Sequence, residues 1–118
     1  MESILNSIKK LLGLNEEQTD FDTDIIIHIN SVFSILNQIG VGPEDGFRIE
    51  DESLVWEDFI QDNKKLNDVK TFMYLKVKMM FDPPLSSAVI KAYEGIIDEL
   101  TFRLNVTAES KEAVVEEE

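Results

Sequence analysis

The stretch Val69-Lys70-Thr71-Phe72-Met73-Tyr74-Leu75-Lys76-Val77-Lys78-Met79-Met80-Phe81-Asp82-Pro83-Pro84-Leu85-Ser86-Ser87 decides the fold, because a long helical pattern runs into two consecutive prolines and then resumes. Pro83 and Pro84 have no backbone N–H to donate. Each also disfavours the α region for the residue before it, so the first helix must end near Phe81 or Asp82. Ser86 or Ser87 is placed to accept the free N–H groups at the start of the next helix. The motif Phe81-Asp82-Pro83-Pro84 is therefore read as a structural turn that folds one helix back along another, with Phe81 buried.

Upstream of the turn, a helix is expected from Lys64 or Lys65 to Phe81. Leu66, Val69, Met73, Val77 and Met80 form its main stripe, and Phe72, Leu75 and Met79 form a second strip roughly 100–130° round the helix. A helix apolar over so wide an arc is either central to its own bundle or shared with another subunit. Downstream, a helix is expected from about Ser87 to Leu104, with Val89, Ile90, Tyr93, Ile96, Ile97, Leu100 and Leu104 on one face and Phe102 pointing the other way.

The N-terminal part reads as a short amphipathic helix over Ser3 to Leu12, stopped by Gly13. At that length it is barely stable alone, so docking on its own domain is expected. A helix capped by Asp20 or Asp22 then runs to Ile39, where Gly40 ends it; Ile25, Ile26, Ile29, Val32, Phe33, Leu36 and Ile39 share its core face. Between Gly40 and Ser53 the chain has turn signals at Gly42-Pro43 and Asp45-Gly46, with Phe47-Arg48-Ile49 as a brief extended piece. Leu54 to Phe59 either closes a hairpin with that piece or, the favoured reading, is extended and then makes a helical turn around Trp56. The expected class is mainly α: a compact bundle of about four helices with a short extended or hairpin segment between the second and third main helices. Residues 1–105 form a single domain, and 106–118 form a flexible acidic tail.

The chain has 118 residues, 43% of them hydrophobic, which suffices for one core. No run approaches the ~18–20 apolar residues of a membrane span, and the start lacks a signal-peptide layout, so a soluble intracellular protein is expected. The net charge of −13, from 11 basic against 24 acidic residues, opposes a broad duplex-binding surface and favours protein partners. Catalysis finds little material: one histidine, no cysteine, no phosphate-binding glycine loop and no metal-ligand spacing. His28 is read as a boundary histidine. Glu50-Asp51-Glu52 lacks the ligand spacing of a calcium loop and is read as solvated. No enzyme, metal site or cofactor is expected.

The residues that break the core pattern are candidates for a subunit or partner interface: Ile27, Trp56, Phe72, Leu75, Met79 and Phe102.

Several motifs, in order, carry a resemblance. They are Ile8-Lys9-Lys10-Leu11-Leu12-Gly13-Leu14, Leu36-Asn37-Gln38-Ile39-Gly40-Val41-Gly42-Pro43, Trp56-Glu57-Asp58-Phe59, Val69 to Lys78 running into Phe81-Asp82-Pro83-Pro84, Ser86-Ser87 and Arg103-Leu104-Asn105. Together they resemble the small head-tail connector, or adaptor, proteins of long-tailed bacteriophages and prophages. The resemblance implies a subunit that assembles as a homo-oligomeric ring of about twelve copies, monomeric in isolation or not. It implies a place below the portal at the head-tail interface of the virion, reached by assembly in the bacterial host cytoplasm. The ring would extend the DNA channel without binding DNA specifically, touch no membrane, and dock the stopper or tail-completion protein. The acidic balance leaves one alternative, a regulatory protein-binding module that mimics the charge of DNA.

Overall fold

The computed structural model describes residues 2–117, with side chains at all of them except 63 and 107–117. Five helices follow in order: α1 (Ile4–Leu11), α2 (Asp22–Ile39), α3 (Trp56–Phe59), α4 (Asn63–Phe81) and α5 (Ser87–Glu117). α4 is the central element, packed against α1, α2 and α5. Its wide apolar arc is explained within one subunit: Leu66, Val69, Phe72, Met73, Leu75 and Val77 are all buried.

α1 starts on the Ser3 hydroxyl, which accepts from the Asn6 N–H at 3.3 Å, and buries Ile4, Leu5 and Ile8 against its own domain. Docking supplies what a two-turn helix lacks alone. Lys9 is pulled inside with it. Its Nζ lies 2.9 Å from Asp22 Oδ1 and 3.0 Å from the Glu16 carbonyl, fastening α1 to the following connector and to the start of α2. The N-cap of α2 is Phe21, with no side-chain cap hydrogen bond, and not Asp20 or Asp22 as the sequence suggested. Asp22 is drawn into the pair with Lys9, still inside the first turn where a carboxylate suits the helix dipole.

The segment between α2 and α4 forms no hairpin, which corrects one of the two sequence alternatives. Asn30 on α2 takes the place of a strand partner for Phe47–Ile49: its Oδ1 accepts from the Ile49 N–H at 2.8 Å, and its Nδ2 donates to the Ile49 carbonyl at 2.9 Å. One side chain thus satisfies both backbone groups of buried Ile49. Leu54–Val55 is extended but pairs with the chain start, where the Ile4 N–H donates to the Leu54 carbonyl at 3.0 Å and Ser3 bridges Val55. The helical turn α3 then places Trp56 and Phe59 inwards. Phe33, Phe47, Trp56 and Phe59 form one aromatic cluster, with centroid separations from Phe33 of 5.0, 6.4 and 4.7 Å respectively. Such ring pairs stabilise by about 0.5–1.5 kcal/mol beyond the area they bury.

The turn before this cluster depends on glycine. Gly40 ends α2 in the left-handed region at φ 97°, donating to the carbonyls of Leu36 and Asn37. Gly42 has φ +91°, and a Cβ there would collide with the Phe59 ring.

At the α4–α5 turn, Asp82 is the C-cap of α4 and Lys78 Nζ reaches its Oδ2 at 2.9 Å. That hydrogen bond holds the Lys78 ammonium above its ordinary range. Phe81 is half-buried, its ring edge-to-face with Phe21 at 5.5 Å. Ser86 begins α5 by accepting from the Val89 N–H at 3.4 Å. α5 continues to Glu117 as helix, beyond the Leu104 end read from the sequence. Residues 105–117 contain neither Gly nor Pro to stop it. The flexible tail expected over 106–118 lies, apart from Val106, outside the residues whose side chains are described.

Gly42→Ala combines left-handed strain with the Phe59 clash and is expected to lower unfolding free energy by about 2–4 kcal/mol. Urea denaturation followed by circular dichroism measures this, and a change below about 0.5 kcal/mol would mean that the turn is free to relax.

Candidate subunit interface

The six residues singled out from the sequence separate into two groups once folded. Trp56, Phe72 and Leu75 belong to the subunit's own core, which corrects their assignment to a surface. The Trp56 indole N–H donates to Ser7 Oγ at 2.8 Å, and the Ser7 hydroxyl donates to the Ile4 carbonyl at 2.9 Å, so the ring's one polar atom is satisfied indoors. Lys70 Nζ sits 5.8 Å from the centroid of that ring. Phe72 and Leu75 face inward because α4 is surrounded, and Lys76 Nζ lies 5.9 Å from the Phe72 centroid. The second strip of α4 is burial in a central helix.

Ile27 and Phe102, by contrast, are 57% and 69% exposed, and Met79 is half-buried. Ile27 stands on the solvent side of α2, two residues beyond buried Ile25. Phe102 stands on α5 roughly 160° round the helix from buried Leu104. Val106, one turn further on, is also exposed and continues the Phe102 face.

A second apolar region was hidden in the sequence by its own regularity. Met80, Val89 and Ile96 fall on stripes that periodicity assigns to the core, yet all three are exposed, as are Phe21 and, completely, Leu85. Burial on α5 begins only at Ile97, Leu100 and Leu104. α5 packs chiefly on α4, with Tyr74 and Tyr93 meeting between the two helices. Burial first, then the neighbouring Tyr93, pushes the Tyr74 phenol above its ordinary range. A stripe reaching the tip of a helical pair is buried only where a further element covers that tip, and among the described residues only the start of α2, through Phe21 on Phe81, reaches it.

Arg103 forms a local ion-pair network beside these surfaces. Arg103 bridges Glu99 Oε1 at 2.9 Å and Asp68 Oδ1 at 3.5 Å, tying α5 to α4, and its guanidinium is raised above its ordinary range chiefly by Glu99. In the Glu50-Asp51-Glu52 loop, hydrogen bonds from Ser53 lower the Asp51 carboxyl. Among the described residues no three acidic or histidine side chains gather as a metal site would need, and no helix is long and apolar enough to cross a membrane.

The family model of phage connector proteins matches residues 4–111, from α1 through most of α5. The chain belongs to the phage connector protein family. Comparisons with curated proteins and with solved structures returned no match. Connector proteins are structural parts of the junction between phage head and tail, so the exposed apolar residues are the natural place to look for function.

The two groups of residues should respond oppositely to substitution. Trp56→Ala is expected to lower unfolding free energy by about 3–5 kcal/mol, whereas Phe102→Asp and Ile27→Asp should each change it by less than about 0.5 kcal/mol. Thermal denaturation of the three variants checks this; a large loss for Phe102→Asp would make that ring part of the fold.

Proposed function

We propose that this protein is a head-tail connector subunit that forms a ring beneath the portal, lengthens the DNA channel and offers a docking surface to the stopper or tail-completion protein. The observation that carries the reading is the family match over 4–111 in a chain whose core is complete while Ile27, Phe102 and the tip of the α4–α5 pair stay uncovered. A ring of about twelve copies uses head-to-tail contacts, in which two different patches of one subunit meet on neighbours. Outward groups on separate helices supply such patches. Ile27 and Phe102, with half-buried Met79, are the interface residues in this reading, and Phe81-Asp82-Pro83-Pro84 is the structural turn that sets the α5 direction.

The channel carries DNA without holding it. A net charge of −13 per subunit repels phosphate and suits a conduit through which the duplex must slide. Turnover chemistry has no part in this role. Assembly takes place in the host cytoplasm, and the finished ring resides at the head-tail interface of the virion.

Mixing the purified chain with its cognate portal and imaging the product by electron microscopy tests the reading. The expected result is a ring seated on the portal, lost with Phe102→Asp or Ile27→Asp although both variants remain folded. A chain that never associates with the portal, or a ring that binds duplex DNA tightly and salt-sensitively, would overturn it.

A further inference from the structure

The outward face of α5 has a composition that its own subunit does not explain. Ala88, Ala92, Gly95, Glu99, Phe102 and Val106 follow one another at alternating intervals of four and three residues, the spacing of a seam between two helices. All six are exposed. Gly95 sits in mid-helix, where glycine costs about 1 kcal/mol relative to alanine, yet a Cβ at this position would meet nothing within 4 Å. Packing inside the subunit therefore does not require it.

We infer that this face binds a second copy of the same chain, α5 against α5 in antiparallel, two-fold fashion, crossing between Ala92 and Gly95. The inference concerns the free protein and does not depend on the connector reading. Three features select the antiparallel arrangement. The small residues let the two backbones approach at the crossing. Val89 and Ile96 are exposed along one edge of the seam on either side of the crossing, and Phe102 is exposed further along the helix. At ~1.5 Å per residue along α5, each copy's Val89 comes within about 3 Å of level with the other's Ile96, on the same edge of the seam. A parallel pair would set the Lys91 and Asp98 edge of each copy against the Val89 and Ile96 edge of the other.

Charge complementarity agrees. Lys91 and Asp98 lie on one edge of the seam, both exposed, and among the described residues neither has an ion-pair partner in its own subunit. In the antiparallel pair the Lys91 of each copy lies within side-chain reach of Asp98 on the other, giving two symmetric ion pairs. Glu99, the one carboxylate in the seam, is already neutralised by Arg103 at 2.9 Å.

Sedimentation equilibrium of the full chain tests the pairing. The expected species at high concentration has twice the 13.5 kDa chain mass. Gly95→Leu is the decisive variant, because it removes a helix-weakening residue into open space and should raise the melting temperature while weakening dimerisation at least tenfold. Lys91→Glu and Asp98→Lys should each weaken it, and the two together should restore it. A chain that stays monomeric up to about 1 mM, a dimer indifferent to Gly95→Leu, or a charge reversal that is not rescued would each overturn the proposal.

Discussion

Four aromatic rings hold together a segment of this chain that has almost no regular structure of its own. Phe33 on α2 is the hub, and Phe47, Phe59 and Trp56 come to it from the loop and the single turn of α3. Besides this cluster, the residues from Gly40 to Asp62 are kept on the bundle by buried Val41 and Ile49, the two Asn30 hydrogen bonds and one isolated bridge. The position of α4 follows from it, since the loop delivers the chain to Asp62, whose carboxylate caps α4 by accepting from the Lys64 N–H at 3.0 Å. α1 follows too, because Trp56 reaches Ser7 and Leu54 pairs with Ile4. A loop fastened this way acts as a core element, which is why the small domain needs no sheet.

The second constraint is the ion pair of buried Lys9 with half-buried Asp22. Desolvating an ammonium is costly, so this contact is weak evidence of net stability, but losing either partner would leave the other charge poorly matched. Its clearer effect is geometric. It fixes the short α1 against the start of α2, and the Phe21 ring next to it packs edge-to-face on Phe81 at the α4–α5 turn. The end of α1, the start of α2 and the end of α4 thereby meet at one end of the bundle.

Much of the architecture was legible in the sequence because its signals are local. The double proline, Gly40 and Ser86 act through backbone dihedrals and free N–H groups, and each stands where a helix boundary occurs. What was not legible depended on distant partners. Trp56 lies in an irregular region and looked available, yet Ser7, forty-nine residues earlier, satisfies its N–H. Asn30 reads as an ordinary polar residue on α2 until Ile49 arrives beside it. Periodicity also overreached on α5: it identifies the face that points toward the bundle, but not how far along the helix there is anything to pack against. Val89 and Ile96 share the orientation of Leu100 without sharing its cover. Ile27 and Phe102 were recognisable because they broke the pattern outright.

Membership of the phage connector family and the placement of uncovered apolar groups converge on a protein whose work is done by its surfaces. The central claim is that the outer sides of α2 and α5 serve assembly and not the stability of the fold. Hydroxyl-radical footprinting, read by mass spectrometry at a concentration where the free chain is monomeric, measures it most directly. Phe102 and Ile27 should be labelled readily in the free chain and strongly protected once it is assembled on the portal, while Trp56 and Phe72 stay protected in both states. Equal labelling of Phe102 and Ile27 before and after assembly would contradict the account.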